Sequence, residues 1–325
     1  MPAPSSPVIR LAYQYCERIA KRNRPYLYLV ARFFQDKEKF KAFCSTYASM
    51  RVIDDQIDSI PWRARLSSPQ KILYRKEIRN WLEKIEACQN GDSVRQPIFM
   101  ALQDIFEKFP IPLFPWRNLA KAMQKDVGKD SFSSLEEFVQ YAEGAAIAPA
   151  TVFMFLLTAK GNGKDYYWNF SEKEIYKFAR ELALFCYLTH IIRDVSSDLQ
   201  LGRSGLLYIP QRDLHRFGLT KEDLLWFKKK KAVNADFKKL AARYVITART
   251  YEAKGKKLLQ KLNSHLEPDS RFILSLLLEF YSATLEKIER ADYNVFSGKE
   301  KLTRREEDAL IKRIARKMDF DLKYV

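Results

Sequence analysis

Tyr47-Ala-Ser-Met-Arg51-Val-Ile-Asp54-Asp55-Gln-Ile-Asp58 sets three carboxylates inside an apolar helical stretch. Tyr47, Arg51, Asp54, Asp55 and Asp58 recur every three or four residues, so they share one helix face. Val52, Ile53, Ile57 and Ile60 flank them. Like charges on a core-facing helix are costly unless a cation binds there. A second stretch repeats the pattern. His190-Ile-Ile-Arg193-Asp194-Val-Ser-Ser-Asp198 again puts two carboxylates at i and i+4 beside an arginine. A single such cluster is as readily a solvated surface. Two of them, both with apolar flanks, argue for a paired site. Oxygen-only clusters suit Mg²⁺, which takes a few carboxylates plus substrate phosphates. Carboxylates, Mg²⁺ and arginine together describe a site for a diphosphate.

Outward from these clusters the pattern stays helical from about Val8. The spacing predicts helices over 8–22, 25–34, 36–58, 68–89, 94–108, 115–126, 135–160, 171–198, 220–230, 233–263, 268–291 and 303–316. Breaks fall at Ser67-Ser-Pro69, Asn90-Gly91, Phe109-Pro-Ile-Pro112, Gly161-Asn-Gly163, Gly202–Gly205 and Glu267-Pro268. Ser134, with Glu137 three residues on, reads as a capping box. No strand and no repeat is evident. Stretches 145–157 and 182–192 are apolar over most of their surface and belong at the centre. The expected fold is all-α: one domain over 1–325, a helical bundle around a central cavity, with residues 1–8 as a disordered tail. Facing helices are where bundles place metal sites.

The bulk numbers narrow the partners. Hydrophobic residues make up 47% of 325, enough for a large core. Net charge is +17, which nucleic acid, an anionic membrane surface or anionic substrates would each explain. No zinc-finger spacing, RNA-binding aromatic motif or basic heptad region is present, so nucleic acid is not expected. The basic residues are dispersed apart from Lys228–Lys231 and Lys254-Gly-Lys-Lys257. A solvated lysine surface explains them most simply, with peripheral membrane contact next. Cys16, Cys44, Cys88 and Cys186 form no CxxC pair, which fits a reducing cytosol. The N-terminus lacks signal-peptide character. The longest apolar run, about 145–159, is too short to span a bilayer and contains Pro149. A cytoplasmic chain, soluble or peripheral at a membrane, is expected.

His215 and His265 look like ordinary polar positions. His190 lies one turn before Asp194, where a core histidine and a site residue are equally good readings. Aromatic residues, 14% of the chain, fill cores. They could also line a cavity and stabilise a carbocation.

Several motifs in order make the chain, over roughly 12–300, resemble the squalene/phytoene synthase family of head-to-head prenyl synthases. Tyr47 to Asp58 is similar to Y-x-x-x-R-x-x-D-D-x-x-D. Met123 and Asp126 fall where the family has Met and Asp. Tyr141 to Ala150 sits at Y-C-x-x-V-A-G-x-V-G. Thr189 to Asp198, Gly202-Arg203 and Tyr208-Ile-Pro210 resemble T-N-I-L-R-D-V-x-x-D…G-R-x-Y-L-P. Tyr293-Asn-Val-Phe296 resembles Y-x-V-F. The resemblance implies that Asp54, Asp55, Asp58, Asp194 and Asp198 hold Mg²⁺, directly or through water. His190 stands where the family has an asparagine ligand. Arg51, Arg193, Tyr47 and Tyr281 would contact diphosphate, and Tyr141 would handle protons.

The implied reaction couples two allylic prenyl diphosphates, with farnesyl slightly favoured over geranylgeranyl. One ionises and its cation alkylates the C2–C3 double bond of the second. Proton loss closes a cyclopropyl diphosphate, which ionises again and rearranges to a C30 or C40 product. The chain departs from the family at Pro25–Tyr28, Ile147–Ala150, Tyr187 and His190, and it carries no eukaryotic-type C-terminal anchor. Two alternatives stay open: a cyclase or other prenyltransferase using one diphosphate, and a non-catalytic partner protein.

Overall fold

Ser6, Asp36, Ser67, Ser134, Ser171, Thr220, Asn234 and Thr303 each accept a hydrogen bond from a backbone N–H two or three residues on. Those caps start eight of the helices, because the first turn otherwise leaves its N–H groups unpaired. The computed structural model describes residues 6–22, 25–60, 65–199 and 207–322. Its helices are α1 (Pro7–Lys21), α2 (Tyr26–Ala31), α3 (Lys37–Asp58), α4 (Ser68–Asn90), α5 (Pro97–Lys108), α6 (Phe114–Asp126), α7 (Leu135–Ala142), α8 (Ala148–Thr158), α9 (Glu172–Arg193), α10 (Val195–Asp198), α11 (Gln211–Arg216), α12 (Lys221–Lys230), α13 (Ala235–Leu262), α14 (Pro268–Arg290) and α15 (Arg304–Met318). The all-α class expected from periodicity holds.

The departures have local causes. The predicted 135–160 helix is interrupted by a π-helical turn, Glu143–Ile147. Pro149 follows it in the first turn of α8. Proline cannot donate to the carbonyl four residues back and its ring crowds that carbonyl, so the widened turn takes up the mismatch. Gly144 lies in that turn against α6, where a Cβ would stand 2.3 Å from the Asn118 carbonyl oxygen. The predicted 171–198 helix also breaks, at Asp194 (φ −100°, ψ 6°). Asp194 and Asp198 therefore flank a bend, although Asp198 N still donates to Asp194 O at 2.9 Å.

Other corrections are smaller. Ser134 caps α7, but Glu137 turns its carboxylate to Ser133 N, 2.7 Å away, so no full capping box forms. A two-residue hairpin, β1 (Lys160–Gly161) with antiparallel β2 (Tyr166–Tyr167), and α11 were not expected. Pro7 and Val8 are helical rather than part of a tail. Residues 1–5 and the Gly202-Arg203 motif lie outside the described residues.

α8 is buried along most of its length and packs on α3, α6, α9 and α14. Counted from Leu135 to Thr158, α7 to α8 is long and apolar enough to cross a membrane, contrary to the sequence reading. Its most apolar window is 72% buried inside the bundle, so the core already uses that surface. The site-bearing helix α3 is pinned at Ser49. Trp81 Nε1 donates to Ser49 O at 2.8 Å and Trp116 Nε1 to Ser49 Oγ at 3.0 Å. Each indole thus buries its ring while satisfying its one donor.

Candidate functional site

Asp54, Asp55 and Asp58 close α3, where no basic residue occupies the last turn. A helix C-terminus is already the negative end of the dipole, so three carboxylates there call for a cation. Arg51, one turn earlier, supplies part of it, with contacts of 2.6 Å to Asp54 and 2.5 Å to Asp55. Arg22 comes within 3.8 Å of Asp55. Tyr47, a further turn back, stacks on Phe43, and burial pushes its hydroxyl pKa up.

The end of α9 is more heavily neutralised. Arg193 grips Asp194 with Nε at 3.0 Å and a terminal nitrogen at 2.6 Å. His190 Nε2 stands 2.6 Å from Asp194, with 48% of the imidazole side chain exposed. Lys301 Nζ approaches at 3.4 Å. Burial alone would raise the Asp194 pKa, but the His190 hydrogen bond and Arg193 hold it well below the carboxylate range.

Asp54 and Asp198 behave oppositely. Burial, then the charge of Asp58, pushes Asp54 up to about 7 even with Arg51 beside it. Burial, then Asp194 and Asp58, pushes Asp198 up to about 8. Asp58 on α3 thus acts on Asp198 on α10, so the fold brings the two clusters into one electrostatic site.

An aromatic wall adjoins them. Tyr141 on α7 donates to Asp126 Oδ2 at 2.7 Å. Its ring lies 5.0 Å from Phe132 and 6.4 Å from Tyr208, and Tyr208 lies 6.1 Å from Tyr187. All three tyrosines have pKa values well above the ordinary one. Burial is the main cause, and nearby aspartates, Asp126 among them, add to it. Tyr281 on α14 meets Tyr26 edge-on at 5.4 Å, and the Arg193 guanidinium sits 5.7 Å from the Tyr26 ring centre. Two surface clefts, of about 290 Å³ beside Phe320 and about 410 Å³ beside Tyr176, do not touch the carboxylates.

Among the described residues no three His, Cys, Asp or Glu side chains converge on a metal position. Arg51 engages Asp54 and Asp55, while Arg193, His190 and Lys301 engage Asp194. The donor chemistry nevertheless fits a divalent cation. Asp54 and Asp198 are carboxylates that their surroundings push toward protonation, and a bound cation would relieve that strain.

Sequence reasoning assigned no role to Asp126, Tyr26, Tyr187, Tyr208 or Lys301. Asp126 shares a helix face with Met123, which was a usable signal. Lys301 is joined to Asp194 only by the tertiary fold, across more than a hundred residues of chain.

The family profile for squalene/phytoene synthase matches residues 20–306. The chain belongs to the squalene/phytoene synthase family. Phytoene synthase 2 of Oryza sativa is 26% identical over 88% of this chain and 65% of its own length. Phytoene synthase of Arthrospira platensis is 26% identical over 88% of this chain and 86% of its own. The chain thus spans just under two thirds of the rice relative and most of the bacterial one. A dehydrosqualene synthase crystal structure superposes with a TM-score of 0.72 at 21% identity, covering 96% of this chain and 98% of that one. Squalene synthase from Alicyclobacillus acidocaldarius gives 0.68 at 20%, covering 88% and 96%. The bundle is therefore the squalene/phytoene synthase fold, and the family is one of prenyltransferases.

Proposed function

We propose that this chain is a Mg²⁺-dependent prenyltransferase that joins two allylic prenyl diphosphates head to head. Farnesyl diphosphate is the weakly favoured substrate, a cyclopropyl diphosphate is the intermediate, and the product is a C30 or C40 isoprenoid. The observation that carries this reading is the pair of arginine-bound carboxylate clusters, Arg51 on Asp54 and Asp55 at the end of α3 and Arg193 on Asp194 at the end of α9. Asp54, Asp55, Asp58, Asp194 and Asp198 would hold the metal, with His190 at the rim.

Bound Mg²⁺ would supply Lewis-acid stabilisation of the leaving diphosphate. Arg51 and Arg193 now spend their guanidinium donors on carboxylates, and both groups suit phosphate oxygens equally well. Substrate binding would shift those donors to diphosphate and release carboxylate oxygens. Tyr47 and Tyr281 stay protonated, their pKa values raised by burial, and so present hydroxyl donors. The rings of Tyr141, Tyr187, Tyr208 and Phe132 form a wall that excludes water and offers π faces to a cation. Tyr141 is held as a phenol rather than a phenolate, so it would steer a proton as a hydrogen-bond donor instead of removing one at neutral pH. The setting is cytoplasmic, in keeping with four free cysteines, at or near a membrane surface.

The test is diphosphate release from farnesyl diphosphate with Mg²⁺ and with chelator. Release that needs Mg²⁺ is expected. Equal release without it would remove the metal from the reading, and no release under either condition would favour a non-catalytic partner protein.

A further inference from the structure

Glu143 opens the π-helical turn between α7 and α8, and α9 holds its carboxylate with two donors. The Tyr176 hydroxyl donates to Oε2, and Arg180 Nε donates to Oε1 at 3.0 Å. Tyr176 and Arg180 are four residues apart, so one face of α9 presents both. The rest of the turn, Gly144-Ala-Ala-Ile147, carries no charge. Beside it, Ala142 and Ile147 pack on Ala183 and Leu184 of α9 in a small core separate from the main one.

A second tie joins the same two segments. Phe138 of α7 stacks on Tyr187 of α9 at 5.1 Å and 19°. From Phe138 on to Glu143 the partners on α9 run back from Tyr187 to Arg180, so the segments are antiparallel. Tyr141 lies between the two ties. Tyr141 and Tyr187 each face Tyr208, at 6.4 Å and 6.1 Å. The tyrosine wall therefore spans two helices, and its closure depends on how far α7 stands from α9.

The Glu143 tie contributes little to global stability. Its carboxylate and the Arg180 side chain are each 32% exposed, and an ion pair in that setting is weak. Its leverage is local. A π-helical turn is a rare conformation found mostly at functional sites. Gly144 seats this one flush against Asn118 of α6, so α6 and α9 grip it from two sides.

We propose that Glu143, held by Tyr176 and Arg180, is a positioning residue that keeps the tyrosine wall closed against water. Without the tie, α7 would part from α9 and solvent would reach Tyr141, which is 4% exposed. In the proposed prenyl reaction the consequence is chemical. Water reaching the allylic cation would give an oxygen lone pair to C1, lose a proton to solvent and leave a prenyl alcohol in place of a coupled product. That consequence rests on the proposed prenyl chemistry, but the tie and its effect on solvent access do not.

The experiment is hydroxyl-radical footprinting of the full chain, with oxidation of Tyr141 read by peptide mass spectrometry. Glu143→Ala, Tyr176→Phe and Arg180→Met break the tie, and Glu143→Gln keeps one acceptor. Arg249→Met is the control, because Arg249 makes a similar tie between α13 and α14 with its side chain 29% exposed. Tyr141 oxidation should rise roughly five- to tenfold in Glu143→Ala, less in Tyr176→Phe, Arg180→Met and Glu143→Gln, and not in Arg249→Met. With farnesyl diphosphate and Mg²⁺, the ratio of farnesol to coupled product should rise in the same order. The share of folded chains cancels from that ratio, so a general loss of stability would not move it. The proposal is overturned by wild-type oxidation of Tyr141 in Glu143→Ala, by an equal rise in Arg249→Met, or by raised oxidation with an unchanged product ratio. Footprinting requires no turnover. A chain that releases no diphosphate loses the prenyl reading, while Tyr141 oxidation still decides the role of Glu143.

Discussion

The Tyr141 hydroxyl donates to Asp126 Oδ2 at 2.7 Å, and Asp126 is only 1% exposed. That bond joins the end of α6 to the end of α7, just before the π-helical turn. Burial keeps that tyrosine protonated, and the Asp126 charge adds to it.

Removing the donor should cost stability as well as rate. In Tyr141→Phe the buried Asp126 loses this hydrogen bond, at a cost of about 1–3 kcal/mol. We expect a lower urea midpoint with an unchanged slope, and turnover down by at least roughly tenfold. Unaltered stability and turnover would mean that the bond supports neither packing nor chemistry.

Asp54→Asn and Asp194→Asn each remove one anionic member of the paired site. Turnover should fall by about 10²–10³ in either variant, while circular dichroism stays that of the wild type. Near-wild-type rates in either variant would end the assignment of these aspartates to the metal.

His190→Asn should keep turnover within about fivefold of wild type or improve it. The His190 imidazole is half-exposed, and its bond is one of several that the mostly buried Asp194 carboxylate makes. Arg193 and Lys301 remain on the carboxylate. Complete loss of activity would give His190 a role of its own.

These predictions rest unequally on sequence. The two clusters, their arginines and nearly every long helix were legible, because i, i+4 spacing and apolar periodicity are local properties. The breaks were not. The interruption at Asp194 has no Gly or Pro to announce it, and the π-helical turn arises from Pro149 together with the close approach of Gly144 to Asn118 on another helix. Lys301 beside Asp194 and Tyr26 beneath Arg193 are products of tertiary packing, which no spacing records. Asp126 was visible on the helix face of Met123, but its partner Tyr141 lies on the next helix.

Away from the site, Glu252 is 4% exposed and accepts from Arg249 at 2.8 Å, Lys256 at 2.6 Å and Ser282 at 2.6 Å. Burial opposes its charge, but Lys256, Ser282 and Arg249 outweigh burial and hold its carboxyl below the usual range. A carboxyl depressed on folding stabilises the protein above its unfolded pKa, about 4.3, and that contribution is lost as pH falls through the folded value. Glu252→Gln should lose about 1–3 kcal/mol at pH 7. The gap to wild type should close as pH falls below about 4. A gap that is the same at both pH values would contradict this.

Head-to-head coupling is the central claim, and the mass of the product tests it most directly. The chain is incubated with Mg²⁺ and farnesyl diphosphate, then geranylgeranyl diphosphate, and the products are extracted and weighed by mass spectrometry. A C30 or C40 product is predicted. Diphosphate release with only C15 or C20 products would contradict the claim and assign this site to chemistry on a single prenyl chain.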